Sequence, residues 1–196
     1  MEIKENKILF AKVKPNAIIP TKRDEDMGFD IYACFDEDYM VIKPHETKLI
    51  PTGIASACDP KYGFLLRERG STGSKGIALR AGVIDSGYRN EWFVGLTNTT
   101  DKTLYISKIS KKEIIDMEYK ADLVAQTVDA LFGDENSCST IKDKLEAAAL
   151  VYPYSKAIAQ ALIVEVPKMK VEEISYDDLK MIESERGMTK LGASGK

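Results

Sequence analysis

From its start to about residue 107, the chain sets short apolar runs between turn residues at intervals of roughly eight to twelve positions. The runs are β-prone and cover residues 8–13, 29–34, 40–42, 47–51, 63–67, 92–98 and 103–107, punctuated by Pro15, Pro20, Pro44, Pro51 and Pro60. This spacing predicts a mainly β fold, a jelly-roll β-sandwich or small barrel. The texture then changes. Residues 108–150 contain no proline, and Ile114, Ile115, Met117, Leu123, Val124, Val128, Leu131 and Phe132 recur at helical spacing. Gly133 and the polar run 134–137 break the pattern, and 140–150 reads as a second helix opening near Ser139 or Thr140. A helical hairpin inserted into a β frame is expected. The β pattern returns at 157–166, a run with few charges that suits a central strand, and a short helix is expected near 176–182. The domains expected are therefore a discontinuous β domain (1–107 and 151–170), a helical insertion (108–150), and a linker with a flexible arm (171–196). The last residues, 186–196, are too rich in glycine and small polar side chains to pack a core.

Composition narrows the field. With 196 residues, 44% hydrophobic and 30% charged, the chain supports one domain with a sizeable core. A net charge of −3 provides no bulk field for a nucleic acid polymer, so any phosphate binding must be local. Cys34, Cys58 and Cys138 are odd in number and far apart, which favours free thiols over a disulfide framework or a zinc site. Residues 1–7 are charged where a secretory signal needs an apolar run, and no stretch is long enough to span a membrane, so a cytoplasmic protein is expected.

Three segments carry candidate chemistry. In Gly82-Val83-Ile84-Asp85-Ser86-Gly87-Tyr88-Arg89 a short apolar strand ends on an acid, and the turn sets an aromatic beside it. A base and a flat steric wall could thus face one small ligand, although Asp and Gly are also ordinary turn residues. Around Arg69-Gly70-Ser71-Thr72-Gly73-Ser74, small residues let backbone N–H groups converge among hydroxyls and cations, as in a polyphosphate cradle or in a solvated turn. The tail repeats that chemistry with Arg186 and Gly192-Ala193-Ser194-Gly195, either as a lid over phosphates or as a frayed end.

In this order on a β frame, these segments resemble the five motifs of the trimeric dUTPase family. The first motif is similar to Asp26-Met27-Gly28-Phe29-Asp30-Ile31-Tyr32-Ala33, the second to Arg69-Gly70-Ser71, and the third to Ala81 through Arg89. Ile158-Ala159-Gln160 looks like the fourth and the 186–195 tail like the fifth. The resemblance implies a homotrimer with sites at its interfaces, hydrolysing dUTP to dUMP and pyrophosphate. It implies Asp85 as the base that activates a water, Tyr88 against the deoxyribose, and Gly82, Val83 and Ile84 reading the uracil from the hairpin around Gly82 and Val83. Arg69, Gly70, Ser71 and Gln160 would hold phosphate, Arg186 and Ser194 with Gly192 of the tail would close over it, and Leu191 would cover the base. Mg2+ would ride on the triphosphate, with Asp30 supporting its water shell and no direct protein ligand.

The chain departs from the family pattern in three places. Arg-Gly-Ser replaces Arg-Ser in the second motif, which leaves Ser71 and Ser74 as alternatives. Ser155-Lys156-Ala157 stands where Gly-acid-Arg is usual and removes an arginine, and Leu191 stands where a stacking phenylalanine is common. His45 is read as a solvated turn residue and Trp92 as core. Phe29 and Tyr32 are read as the packing side of their strand, with Asp30 facing the site. The insertion suits either a packed helical pair or a docking surface for a protein partner. Two alternatives to the hydrolase are a dCTP deaminase of the same fold, whose Arg-Ser-Ser pattern with a second-strand glutamate is not evident, and a non-catalytic binding protein. Asp85, Tyr88 and the complete tail favour the hydrolase.

Overall fold

A computed structural model of the chain describes residues 7–126, 137–185 and 187. Among them the order is β1 (Ile8–Lys12), β2 (Gly28–Ile31), β3 (Tyr39–Ile42), β4 (Thr47–Pro51), β5 (Ile54–Cys58), β6 (Tyr62–Arg67), α1 (Gly70–Gly73), β7 (Ile77–Arg80), β8 (Val83–Ile84), β9 (Phe93–Asn98) and β10 (Thr103–Ser107). There follow α2 (Lys111–Gln126), α3 (Ser137–Ala148), β11 (Ala149–Pro153), β12 (Ala159–Glu165) and α4 (Tyr176–Met181). The chain divides into two compact units, residues 1–166 and 167–196. No described helix is long and apolar enough to cross a membrane.

The fold is mainly β, as the alternating runs predict, and the expected strands form with small shifts at their ends. They assemble as β1–β5, β11–β10–β3, β2–β12–β6–β8 and β4–β9–β7. The run at 157–166 is indeed internal to its sheet: β12 pairs antiparallel with β2 on one side and β6 on the other. Three strands fall outside the expected runs. β5 carries Ala-Ser-Ala, which has little intrinsic strand preference, and is held by a five-residue antiparallel register with β1. β7 and β11 are likewise short segments stabilised by distant partners, β9 and β10.

The core closes around aromatic side chains. Trp92 is fully buried, as expected, with ring centroids 5.0 Å from Phe64 and 5.6 Å from Phe10. Ile31, Ile50, Leu66 and Leu96 complete it from different sheets. Burying such a side chain stabilises by about 1.5–3 kcal/mol before chain entropy is charged against it. Cys34 and Cys58 are buried free thiols, and burial pushes both thiols up.

The helices α2 and α3 connect β10 to β11, which pair in parallel from Thr103 opposite Ala149 to Ser107 opposite Pro153. A parallel neighbour needs a long crossover, and the helical pair supplies it. Ser110 and Glu113 cap α2 reciprocally, and Lys142 Nζ reaches Asp116 Oδ1 at 2.7 Å between the helices. Ile114 and Ile115 are buried with Tyr105 and Ala149, which seats the helices on the sheet. The second helix ends at Ala148, earlier than expected, because Ala149 and Leu150 already pair with Thr103 and Leu104.

In the second unit, Ser175 caps α4 by accepting from the Asp178 N–H at 3.0 Å. His45 lies at an exposed turn with φ +60° and contacts Asp101 Oδ1 through Nε2 at 3.0 Å.

Candidate active site

Strand pairing brings the first and fourth motifs together although they lie more than a hundred residues apart in sequence, and the second joins them from the end of β6. In the β2–β12–β6 sheet Gln160 lies opposite Asp30 on one side and Arg67 on the other. Gly28 makes this approach feasible, since a Cβ there would come within 3.1 Å of Gln160. Along this row opens a groove of about 860 Å³ whose lining includes Asp30, Arg69, Gly70, Ser71, Ala157 and Gln160.

Arg69 is the organising cation of the groove. Its Nε and Nη2 donate to the two oxygens of Asp30 at 2.9 and 3.2 Å, a two-pronged pair that fixes the guanidinium plane. Its Nη1 reaches Ser71 Oγ at 3.4 Å and the Ala157 carbonyl at 3.5 Å. Gln160 Nε2 donates to the Glu68 carbonyl at 2.8 Å. Glu68 in turn accepts the Leu79 N–H at 2.9 Å, and this bond holds its carboxyl below the usual range. Between the alternatives Ser71 and Ser74, the groove contains Ser71.

The third motif is placed elsewhere. Gly82 and Val83 were expected within a hairpin, but the strands flanking that turn do not pair: β7 joins β9 and β8 joins β6. Ala81, at φ +52°, carries the chain from one sheet to the other. Gly82 passes so close to β6 that its carbonyl accepts the Leu66 N–H at 2.6 Å. A Cβ on Gly82 would meet the Leu66 oxygen at 2.5 Å. Ile84 is buried in the core, so only its backbone can meet a ligand, whereas Val83 is 70% exposed. Asp85 follows on the surface, and the Tyr88 N–H closes the turn onto the Asp85 carbonyl at 3.1 Å. Tyr88 is 38% exposed, with its hydroxyl donating to the Glu91 carbonyl at 3.2 Å.

Because Ile84 lies opposite Phe64, Asp85 sits beside the start of β6, whereas Arg69 follows its end. Six residues of extended chain separate the two by roughly 20 Å. Within one chain the carboxylate of Asp85 therefore does not share the groove with Arg69, Ser71 and Gln160. Arg186, Leu191, Gly192 and Ser194 lie outside the described residues.

The groove also holds residues that the sequence did not assign to a site: Thr21, Lys22, Arg23, Tyr32, Ser155 and Lys156. Tyr32 corrects the expectation that it packs with Phe29. It stands two positions from Asp30 and so shares its face, while Phe29 and Ile31 turn to the core. Strand parity could have found it. Arg23 pairs with Asp26 through Nε and Nη2, both at 2.9 Å, which lowers the Asp26 carboxyl and raises the guanidinium. Among the described residues no cluster of His, Cys, Asp and Glu could by itself hold a metal.

The chain and its fold are similar to those of known proteins. The dUTPase family model matches residues 14–112. The deoxyuridine 5'-triphosphate nucleotidohydrolase of Leptospira interrogans is 35% identical over 104 residues, covering 51% of this chain and 71% of that one. A variant of the Staphylococcus bacteriophage 80alpha dUTPase, solved with dUpNHpp, shares the fold at a TM-score of 0.63 and 18% identity, over 97% of this chain and 99% of the other. The dUTPase of phage phi11 of S. aureus, in a structure that describes the coordination of a structural Mg(II) ion, aligns at a TM-score of 0.56 and 17% identity, over 86% and 97%. Through the family match over half its length and the 35% identity to a relative it largely covers, the chain belongs to the dUTPase family.

Proposed function

We propose that this enzyme, a dUTP diphosphatase, cleaves dUTP to dUMP and pyrophosphate at sites shared between copies of the chain. In each, Asp85 and Tyr88 of one subunit face the Arg69 groove of another. The observation that carries this reading is the placement of a phosphate-suited groove and an exposed carboxylate at opposite ends of one strand. Closed symmetric assembly brings such separated halves together, and the resemblance to the trimeric dUTPases supports a homotrimer as that assembly.

The chemistry asks mainly for position and charge. Asp85, on the stiff end of β8, takes a proton from a water aimed in line at the α-phosphorus. Arg69, with its plane fixed by Asp30, presents Nη1 to phosphate oxygens, and Ser71 Oγ adds a neutral donor. The one-turn helix α1 leaves its leading N–H groups, at Gly70 and Ser71, without intrahelical partners, which suits the same anion. Gln160, held by the Glu68 carbonyl, fixes the floor of the groove.

Base selection follows from the edge strand. Gly82 bonds to Leu66 on the inner edge of β8, so the alternation of an antiparallel ladder turns both backbone groups of Val83 outward. Its N–H and C=O match an acceptor and the N3–H donor of uracil, whereas cytosine offers the opposite polarity and leaves both unpaired. Tyr88 selects the sugar: its ring against the deoxyribose leaves no room for a 2′-hydroxyl.

The donor set fits a Mg2+ ion that arrives with the substrate. Asp26 and Asp30 each carry an arginine, so neither is a bare ligand, yet Asp30 retains lone pairs for a water of a hydrated ion. Such an ion would neutralise charge on the triphosphate. The arm with Arg186, Leu191, Gly192 and Ser194 would complete the enclosure.

Assaying dATP, dCTP, dGTP, dTTP, dUTP and UTP with magnesium tests the proposal. The expected result is pyrophosphate release from dUTP alone, abolished by Asp85→Asn. Ammonia release from dCTP at a comparable rate, or survival of dUTP cleavage in Asp85→Asn, would refute it.

A further inference from the structure

The groove carries two cations beyond the two that its internal ion pairs require. Four cationic side chains line it, Lys22, Arg23, Arg69 and Lys156, against two carboxylates, Asp26 and Asp30. Arg23 is committed to Asp26 and Arg69 to Asp30. Lys22 turns its ammonium onto the carbonyls of Arg23 and Asp24 at 3.1 and 3.3 Å. Lys156 differs: it is exposed in the groove wall, and among the described residues its ammonium has no hydrogen-bond or ion-pair partner.

Its backbone, by contrast, is firmly held. The Lys156 N–H donates to the Pro153 carbonyl at 3.0 Å, and the flanking Tyr154 and Ile158 N–H groups bond to Ser107 and Ile31 at 2.7 and 2.8 Å. The next residue, Ala157, is buried, and its carbonyl accepts from both Tyr152 Oη, at 2.7 Å, and Arg69 Nη1, at 3.5 Å. The turn that bears Lys156 is thereby joined to the guanidinium that organises the groove. A flexible ammonium on a fixed turn beside Arg69 is the arrangement that captures an oxyanion as a point charge. We propose that Lys156 is a phosphate-binding residue of this enzyme, gripping the polyphosphate of the substrate from the wall next to Arg69 and supplying the positive charge that Ala157 does not.

This rests on the assignment of the groove as the triphosphate site, and the test separates the two. Binding of inorganic tripolyphosphate and of deoxyuridine is measured by titration calorimetry on the intact protein, with steady-state dUTP hydrolysis alongside. Lys156→Gln should weaken tripolyphosphate binding about tenfold, raise KM for dUTP by a similar factor with kcat little changed, and leave deoxyuridine binding as it was. Lys156→Arg should restore most of the loss. Unchanged tripolyphosphate affinity in Lys156→Gln would overturn the proposal, as would an equal loss for both ligands, which marks a structural role. If the wild-type chain fails to cleave dUTP, the assigned activity falls while the titration still decides on Lys156.

Discussion

Substituting Gly82 with alanine probes the link between fold and chemistry at one atom. The new Cβ would stand 2.5 Å from the Leu66 oxygen and 3.0 Å from Leu79 Cδ2, where ordinary contact begins near 3.4 Å. The Leu66 oxygen belongs to the backbone and cannot swing away, so β8 must retreat from β6 by about 0.9 Å. Overpacking of this kind costs about 1–3 kcal/mol, and weakening the 2.6 Å bond from Leu66 to Gly82 adds about 1 kcal/mol. For a chain of this size the sum should lower the melting temperature by roughly 5–12 °C. Because β8 carries Val83 and leads into Asp85, a displacement approaching 1 Å should also reduce kcat/KM for dUTP by about a hundredfold. Thermal unfolding and a pyrophosphate-release assay read the two effects. Gly87→Ala is the control: a Cβ at Gly87 meets nothing within 4 Å, and that variant should melt within about 1 °C of wild type. Wild-type melting and activity in Gly82→Ala would refute the proposed packing of β8 against β6.

Other perturbations address separate parts of the account. Tyr88→Ala opens the wall against the sugar and should cut the preference for dUTP over UTP at least about tenfold in kcat/KM; an unchanged ratio would remove Tyr88 from sugar selection. Glu68, held below its ordinary value chiefly by the Leu79 N–H, contributes stability that is complete above its unfolded value near 4.5 and fades as pH falls. The gap in melting temperature between wild type and Glu68→Gln should therefore be widest at neutral pH and shrink on acidification, and a gap independent of pH would contradict this. Leu191→Phe adds a stacking increment of about 0.5–1.5 kcal/mol over the base, so KM for dUTP should fall or stay level, whereas a clear rise would show that the arm docks differently.

The sequence made the local features readable. Apolar runs between turn residues marked most strands, and the resemblance of the motifs pointed to Asp30, Arg69, Ser71 and Gln160, which the structure gathers in one groove. What remained hidden depends on pairing between distant segments. Nothing local to Gly82 reveals that β7 and β8 enter different sheets, because that is decided by their partners β9 and β6. β11 was hidden for a related reason: Ala149 and Leu150 suit a helix end by composition, and only β10 draws them into a strand. The placing of Tyr32 was a parity slip, recoverable from the period of two. Lys156 stood out in sequence only as a departure in the fourth motif, and its ammonium, without a partner among the described residues, emerges once Arg23 and Arg69 are seen to be paired.

The central claim is that one chain holds half a site. Arg69→Ala and Asp85→Asn should each be inactive alone. Unfolded together in equal amounts and refolded, they should regain about a quarter of wild-type dUTP hydrolysis, since that fraction of interfaces joins an intact groove to an intact Asp85. A refolded mixture as inactive as either variant, with oligomer formation verified, would contradict a site shared between subunits.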